Sequence, residues 1–322
     1  MYQQLISYGE SDVYPFHMPG HKRRALSFPN PYTIDITEID GFDNLHHAEG
    51  LIREAEERAA ELLGRHTGEY ITLEYRDLPR CDAHTQKLLA ALVAQGVRSL
   101  LPREGEVLVV GLGNRNVTAD ALGTRVVERM LVTRHLRQAM ARELRGRLRG
   151  VSAIAPGVLG LTGIETAELC RGLVRHVRPS AVIAIDALAA FESERICTTV
   201  QITDTGIEPG SGVGNHRLGL TEETLGVKVI AVGVPMVVYA STIARDAMAR
   251  LIDEYGLLAR GHEEAAQQLL RQVSEGFLGD MVVTPREIDE LVLHVAALLS
   301  DGINQALQPD IDPDTLHTYI QG

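Results

Sequence analysis

Residues 106–123 read EVLVVGLGNRNVTADALG and residues 181–190 read AVIAIDALAA. Each holds a short apolar run dense in Val, Ile, Leu and Ala, the pattern of a strand buried on both faces of a parallel sheet. Behind the first run, Leu122, Val126, Val127, Met130 and Leu131 recur at helical spacing, with Thr118 placed to cap that helix. VSAIAPG (151–157) repeats the strand, and a helix from Ile164 to about Val177 follows it. Strands and helices taking turns in this way predict a doubly wound α/β domain, a mainly parallel sheet sandwiched by helices.

In open α/β sheets the ligand crevice lies beyond the carboxyl ends of the strands, so acids delivered there from two strands meet over one substrate. Asp120 and Asp186 are the two candidates. Asp186 ends an apolar run flanked by alanines, and a buried acid needs a partner. Asp120 falls in the first turn of the predicted helix, where the dipole favours a carboxylate for structural reasons as well as catalytic ones. Two neighbouring carboxyls do not both ionise easily, so the dipole is expected to keep Asp120 the base while Asp186 holds the proton as acid.

Three glycine-rich loops supply candidate substrate contacts. VVGLGN offers Gly113 and Asn114; PGVLGLTGIET (156–166) offers Gly163 and Glu165; ITDTGIEPGSGVGNHR (202–217) offers Asp204, Gly210, Gly212 and Asn215, with His216 a weaker candidate. Glycine is costly in a chain unless the backbone must turn sharply or approach a ligand. VVGLGN is not a dinucleotide fingerprint, because Asn116 holds the third glycine position and no acid ends a strand about 20 residues on.

Further elements are predicted at ITLEY (71–75), a helix near 82–95, strands in TVQITDTG and GVKVIAVGVP, a helix capped by Ser241 and ended by Gly256, and a last helix opened by a capping box at Thr284–Glu287. The Ser241 helix is expected to bury Ala244, Ala247, Met248, Leu251, Ile252 and Tyr255.

The 322 residues carry 31 basic and 43 acidic side chains, a net charge of −12, which disfavours nucleic acid and anionic membranes as partners and favours a basic substrate. No apolar run approaches the roughly 20 residues of a membrane span. Cys81, Cys170 and Cys197 fall at no metal-like spacing and point to buried thiols in a reducing cytoplasm. His17, His21, His46 and His47 cluster near the start of the chain, and no zinc-spaced His/Cys set occurs. Asp120, Asp186 and a third ligand such as His135 leave a divalent metal open, since carboxylates at strand ends also build metal sites. Otherwise no cofactor is expected.

From Gly64 onward the sequence resembles the germination protease of spore-forming bacteria. GEYITLE, EVLVVGLGNRNVTADALG, LVTRHL, VSAIAPGVLGLTGIET, IAIDALAA, VQITDTGIEPGSGVGN, ETLGVKVIAVGVP and MVVTPREID carry that resemblance. It implies an endopeptidase of the spore interior, cytoplasmic, that degrades small acid-soluble spore proteins during germination and is made as a homotetrameric zymogen. It also implies a fold similar to that of hydrogenase maturation endopeptidases, and a role in catalysis for the aspartates of TADALG and AIDALAA, here Asp120 and Asp186. The family has been described as both metallo-type and aspartic-type. This chain departs from the family at Phe191, where DALAARS is usual, and at Tyr239, where VPTVVDA is usual.

Residues 1–64 resemble something else, the start of bacterial ornithine/lysine/arginine decarboxylases, through PFHMPGHKR, DITEIDGFDNLHHAEG and the helix-patterned stretch after them. The likeness stops before the pyridoxal-phosphate domain, so decarboxylation is not implied. The expected organisation is an irregular and helical leader over 1–64 joined to a protease-like α/β domain over 65–322. A fusion of that kind has a rival reading, a catalytically inactive protein that keeps the fold for assembly or peptide binding.

Overall fold

The computed structural model describes residues 68–139, 148–210, 217–255, 278 and 281–311. The leader expected over 1–64, Gly256, and the candidates Gly212, Asn215 and His216 lie outside them. Seven strands are described: β1 (Tyr70–Glu74), β2 (Val107–Gly111), β3 (Val151–Ile154), β4 (Ala181–Ala190), β5 (Thr199–Thr203), β6 (Lys228–Tyr239) and β7 (Val282–Val283). The helices among these residues are α1 (Ala83–Leu100), α2 (Leu122–Val127), α3 (Arg134–Ala139), α4 (Leu159–Thr162), α5 (Thr166–Val177), α6 (Glu222–Leu225), α7 (Ala240–Tyr255) and α8 (Ile288–Leu307).

The strands form one sheet in the order β1-β5-β6-β4-β2-β3, with β7 added to β6. β2 runs parallel to both β3 and β4, and β4 parallel to β6. β5 returns antiparallel to β6, β1 antiparallel to β5, and β7 antiparallel to β6. The fold is therefore α/β with a mainly parallel centre, as the alternating apolar runs predict. All of β2 and the first six residues of β4 are buried, which explains why their sequences show no polar alternation.

Helices cover both faces. On one, Val93, Val97 and Leu100 of α1 and Val295, Leu299 and Ile303 of α8 pack with Val107, Val109, Ile183, Ile185 and Val232. On the other, Ala167 and Cys170 of α5, Leu220 and Leu225 pack with Leu108, Val110, Val182, Ala184 and Val229. Cys170 and Cys197 are buried thiols, whereas Cys81 is half-buried and 3.3 Å from the ring of His294. Burial raises both buried thiols to about 11, so neither is reactive near neutral pH.

Two glycines set α2 flush on the sheet. A Cβ at Gly111 would lie 2.1 Å from the carbonyl oxygen of Gly123, and one at Gly123 would lie 2.3 Å from that of Ile185. The helix therefore starts directly over the carboxyl ends of β2 and β4, and Asp120 lies three positions ahead of Gly123.

Several local expectations give way to the tertiary fold. Thr118 opens a three-residue 3-10 turn, Thr118–Asp120, instead of capping a helix, and α2 ends at Val127 before Met130 and Leu131. α1 runs on to Leu100, because Val97 and Leu100 continue its buried stripe. β6 continues through Pro235, where a register shift opposite Leu188 and Ala189 accommodates the residue without an N–H. α7 springs from β6 at Ala240, so Ser241 lies inside it, and Ala247 is exposed. The capping box at Thr284–Glu287 does not form: α8 begins at Ile288 with Glu287 as a cap that makes no side-chain bond. Among the described residues no helix is long and apolar enough to cross a membrane.

Candidate active site

Asp186 is the sixth residue of β4, paired in register with Gly233 of β6 and 5% exposed. The apolar stretch before it builds the parallel centre, and the acid follows directly on the last pair with β2, while β4 itself runs on beside β6 to Ala190. Its Oδ1 accepts the backbone N–H of Ala187 at 2.9 Å. Burial pushes its carboxyl up to about 7, the charge of Asp120 pushes in the same direction, and the Ala187 N–H opposes both.

Asp120 reaches the same place from the end of the 3-10 turn. Its Oδ2 accepts the backbone N–H of Asn114 at 2.7 Å, which closes the 114–120 loop on itself. Burial also holds this carboxyl above its ordinary value, and the Asn114 N–H pulls it back. The hydrogen bond to the loop favours its ionised form. Gly113 makes the loop possible: its φ is 97°, and a Cβ there would lie 1.9 Å from the carbonyl oxygen of Asp120.

Both acids line one cleft of about 870 Å³ at the carboxyl edge of the sheet. Gly113, Asn114, Glu165 and Gly210 line it with them. Gly163 does not line it; with φ at 72° it ends α4, while Gly157 and Gly160 of the same loop face the cleft. Asp204 lies elsewhere. Its Oδ1 accepts the Glu69 N–H at 2.9 Å and its Oδ2 sits 3.5 Å from Lys228, toward the amino end of β6. The antiparallel return of β5 carries this acid away from the strand ends that hold Asp186.

Sequence reasoning missed Arg217, whose Nη1 is 3.3 Å from Oε1 of Glu165 across the cleft wall. It missed the apolar wall as well: Val117, Val158, Leu159, Leu188 and Val237. The cleft thus combines an acidic pair with apolar sides and the Glu165–Arg217 ion pair, a lining suited to a peptide. His135 is exposed on α3 and does not line it. Among the described residues no three His, Cys, Asp or Glu side chains are grouped to hold a metal.

The two departures from the family pattern fall outside the cleft lining. Phe191 is 77% exposed, with the guanidinium of Arg245 stacked 4.9 Å from its ring centroid. Tyr239 ends β6 opposite Val282.

Paired acids over one cleft at the edge of an α/β sheet are equipment for acid–base hydrolysis. The chain belongs to the germination protease family, whose model matches residues 50–270. That match opens within the helix-patterned stretch ahead of Gly64. Among its relatives named germination protease, that of Caldanaerobacter subterraneus subsp. tengcongensis is 45% identical over 278 residues, covering 82% of this chain and 86% of the relative. That of Clostridium perfringens is 41% identical over 277 residues, covering 82% and 85%. That of Bacillus subtilis is 36% identical over 340 residues, covering 90% and 92%. By this membership the chain is a peptidase of the spore-germination type. Among solved structures it is similar to the NiFe hydrogenase maturation protease HycI of Thermococcus kodakarensis KOD1, at 17% identity and a TM-score of 0.32 over 64% of this chain and 97% of that one. The hydrogenase maturating endopeptidase HybD of E. coli gives 17% identity and a TM-score of 0.23 over 47% and 94%.

Proposed function

We propose that the chain cleaves small acid-soluble spore proteins internally during germination, with Asp120 and Asp186 as its acid–base pair. The observation that carries the reading is the meeting of the two carboxyls in one cleft, the more buried of them raised to about 7 with the charge of the other among the causes. Asp186 holds its proton near neutrality; Asp120, steadied by the Asn114 N–H, is the ionised partner. In the reaction Asp120 takes a proton from a water molecule as its oxygen attacks the scissile carbonyl carbon. Asp186 gives its proton toward the carbonyl oxygen. As the C–N bond breaks, the proton held by Asp120 passes to the leaving amine and one hydroxyl proton of the tetrahedral centre returns to Asp186, which leaves a carboxylic acid product and restores both acids.

Family resemblance in the quoted motifs also supports a homotetramer working in the spore interior, and a boundary near residue 64 between a decarboxylase-like leader and the protease domain. The test is incubation of a purified small acid-soluble spore protein with the full chain, followed by mass mapping of fragments. Discrete internal cuts are expected. Intact substrate after incubation with folded protein would overturn the reading in favour of an inactive fusion that keeps the fold.

A further inference from the structure

Past Asp186, β4 keeps a neighbour on one side only among the described residues. The ladder with β2 runs from the Val107/Ala181 pair to the Gly111/Ile185 pair. It closes with the Leu112 N–H donated to the Ile185 carbonyl at 2.8 Å, after which the chain swings away at Gly113. β6 continues beside β4 as far as Ala190. A strand residue directs its N–H and C=O to the same side, and its neighbours direct theirs to the other. Ile185 faces β2, so Ala187 and Ala189 face the side that β2 has left.

No described strand pairs with that edge. The Ala187 N–H is bonded to the carboxylate of Asp186, a side-chain stand-in for a missing backbone partner. Ala187, Leu188 and Ala189 are each half-buried, and all three line the cleft beside both aspartates. An unpaired strand edge invites another backbone to add to it, and methyl side chains at both outward positions leave room for one.

We infer that the substrate binds as an added strand on the free edge of β4, its backbone hydrogen-bonded to Ala187 and Ala189 and its scissile bond carried over Asp186. The inference rests on the peptidase reading and narrows its substrate to a segment that can lie extended. Main-chain bonds give the affinity, so many sequences fit, while the apolar wall at Val158, Leu159 and Val237 selects side chains. Binding also readies the acid. When a substrate carbonyl takes the Ala187 N–H, Asp186 loses a hydrogen bond that favours its ionised form and keeps its proton more firmly.

The experiment uses overlapping 12-residue peptides of a small acid-soluble spore protein, bound to the full-length Asp120→Asn variant and measured by calorimetry. The tightest peptide is then N-methylated one residue at a time. The expected pattern alternates: methylation at two positions spaced by two weakens binding about tenfold each, the scale of one lost hydrogen bond, and the position between them changes little. Ala189→Pro, which removes a donor on the free side only, weakens the unmethylated peptide by a similar factor. A flat scan overturns the added strand, and so does the failure of every peptide to bind. Cleavage of the whole spore protein by the parent chain, measured alongside, separates the two readings: a flat scan with cleavage leaves the peptidase standing, and loss of cleavage removes both.

Discussion

The backbone N–H of Asn114 donates to Oδ2 of Asp120 at 2.7 Å, so the loop that delivers one carboxyl to the cleft is tied by that same carboxyl. Position and protonation are thereby coupled. Any change that opens the loop both misplaces Asp120 and removes the bond that favours its ionised form.

Gly113→Ala tests this directly. Its φ of 97° and the 1.9 Å approach to the Asp120 carbonyl oxygen leave no room for a methyl, and strain of this kind is worth about 1–3 kcal/mol. Urea unfolding is expected to show a loss on that scale, and kcat should fall further than stability explains. Gly160→Ala is the contrast: nothing lies within 4 Å of its Cβ and it sits inside α4, so stability should hold or rise by up to about 1 kcal/mol.

Asp186 works against folding at alkaline pH. Its folded carboxyl is raised from 3.8 to about 7, so between those values the native state holds more protons than the unfolded one, and stability falls as pH rises through that window. The full effect is on the order of 4 kcal/mol above about pH 7 and absent below about pH 4. Asp186→Asn is therefore expected to unfold at higher urea than the parent at pH 8, with the advantage shrinking toward pH 4. Equal midpoints at pH 8 would show that the carboxyl is not raised.

Removing the other charge should act on the first. In Asp120→Asn, the titration of Asp186 followed by carbon-13 NMR is expected to move below its parent value while staying above 3.8, because burial is the larger cause and remains. An unmoved titration would mean that the two carboxyls do not sense each other.

The exposed stack of Arg245 on Phe191 is a surface feature, worth about 0.5–1 kcal/mol. Phe191→Ala should cost about that much in thermal or urea unfolding and leave KM and kcat for spore-protein cleavage unchanged. A large fall in kcat would tie this departure from the family pattern to the chemistry.

Legibility followed burial. The runs VLVVG and AVIAIDALAA declare themselves because a strand covered on both faces can hold little but apolar residues, and an acid closing such a run stands out. Local polar signals misled. Thr118, Ser241 and Thr284 each look like helix caps, yet a tight 3-10 turn, a strand running straight into α7 and a late start at Ile288 decide those boundaries. Asp204 sits in a glycine-rich stretch that does reach the cleft at Gly210, but the antiparallel course of β5 places the acid toward the other end of β6. Arg217 is a basic residue like any other until the fold sets it against Glu165, 52 positions earlier. The edge of β4 that is unpaired among the described residues has no sequence signature at all, since it arises where β2 turns away.

The central claim is that Asp120 and Asp186 act as one unit, and a double-mutant comparison meets it most directly. Cleavage of a purified small acid-soluble spore protein is measured for the parent, Asp120→Asn, Asp186→Asn and the double variant, each shown to be folded. Groups acting together are strongly non-additive. The expected result is a loss of about 10³-fold or more in kcat for each single variant, with the double variant no worse than the poorer single. Retained cleavage in either single variant, or losses that multiply in the double, would contradict the pair.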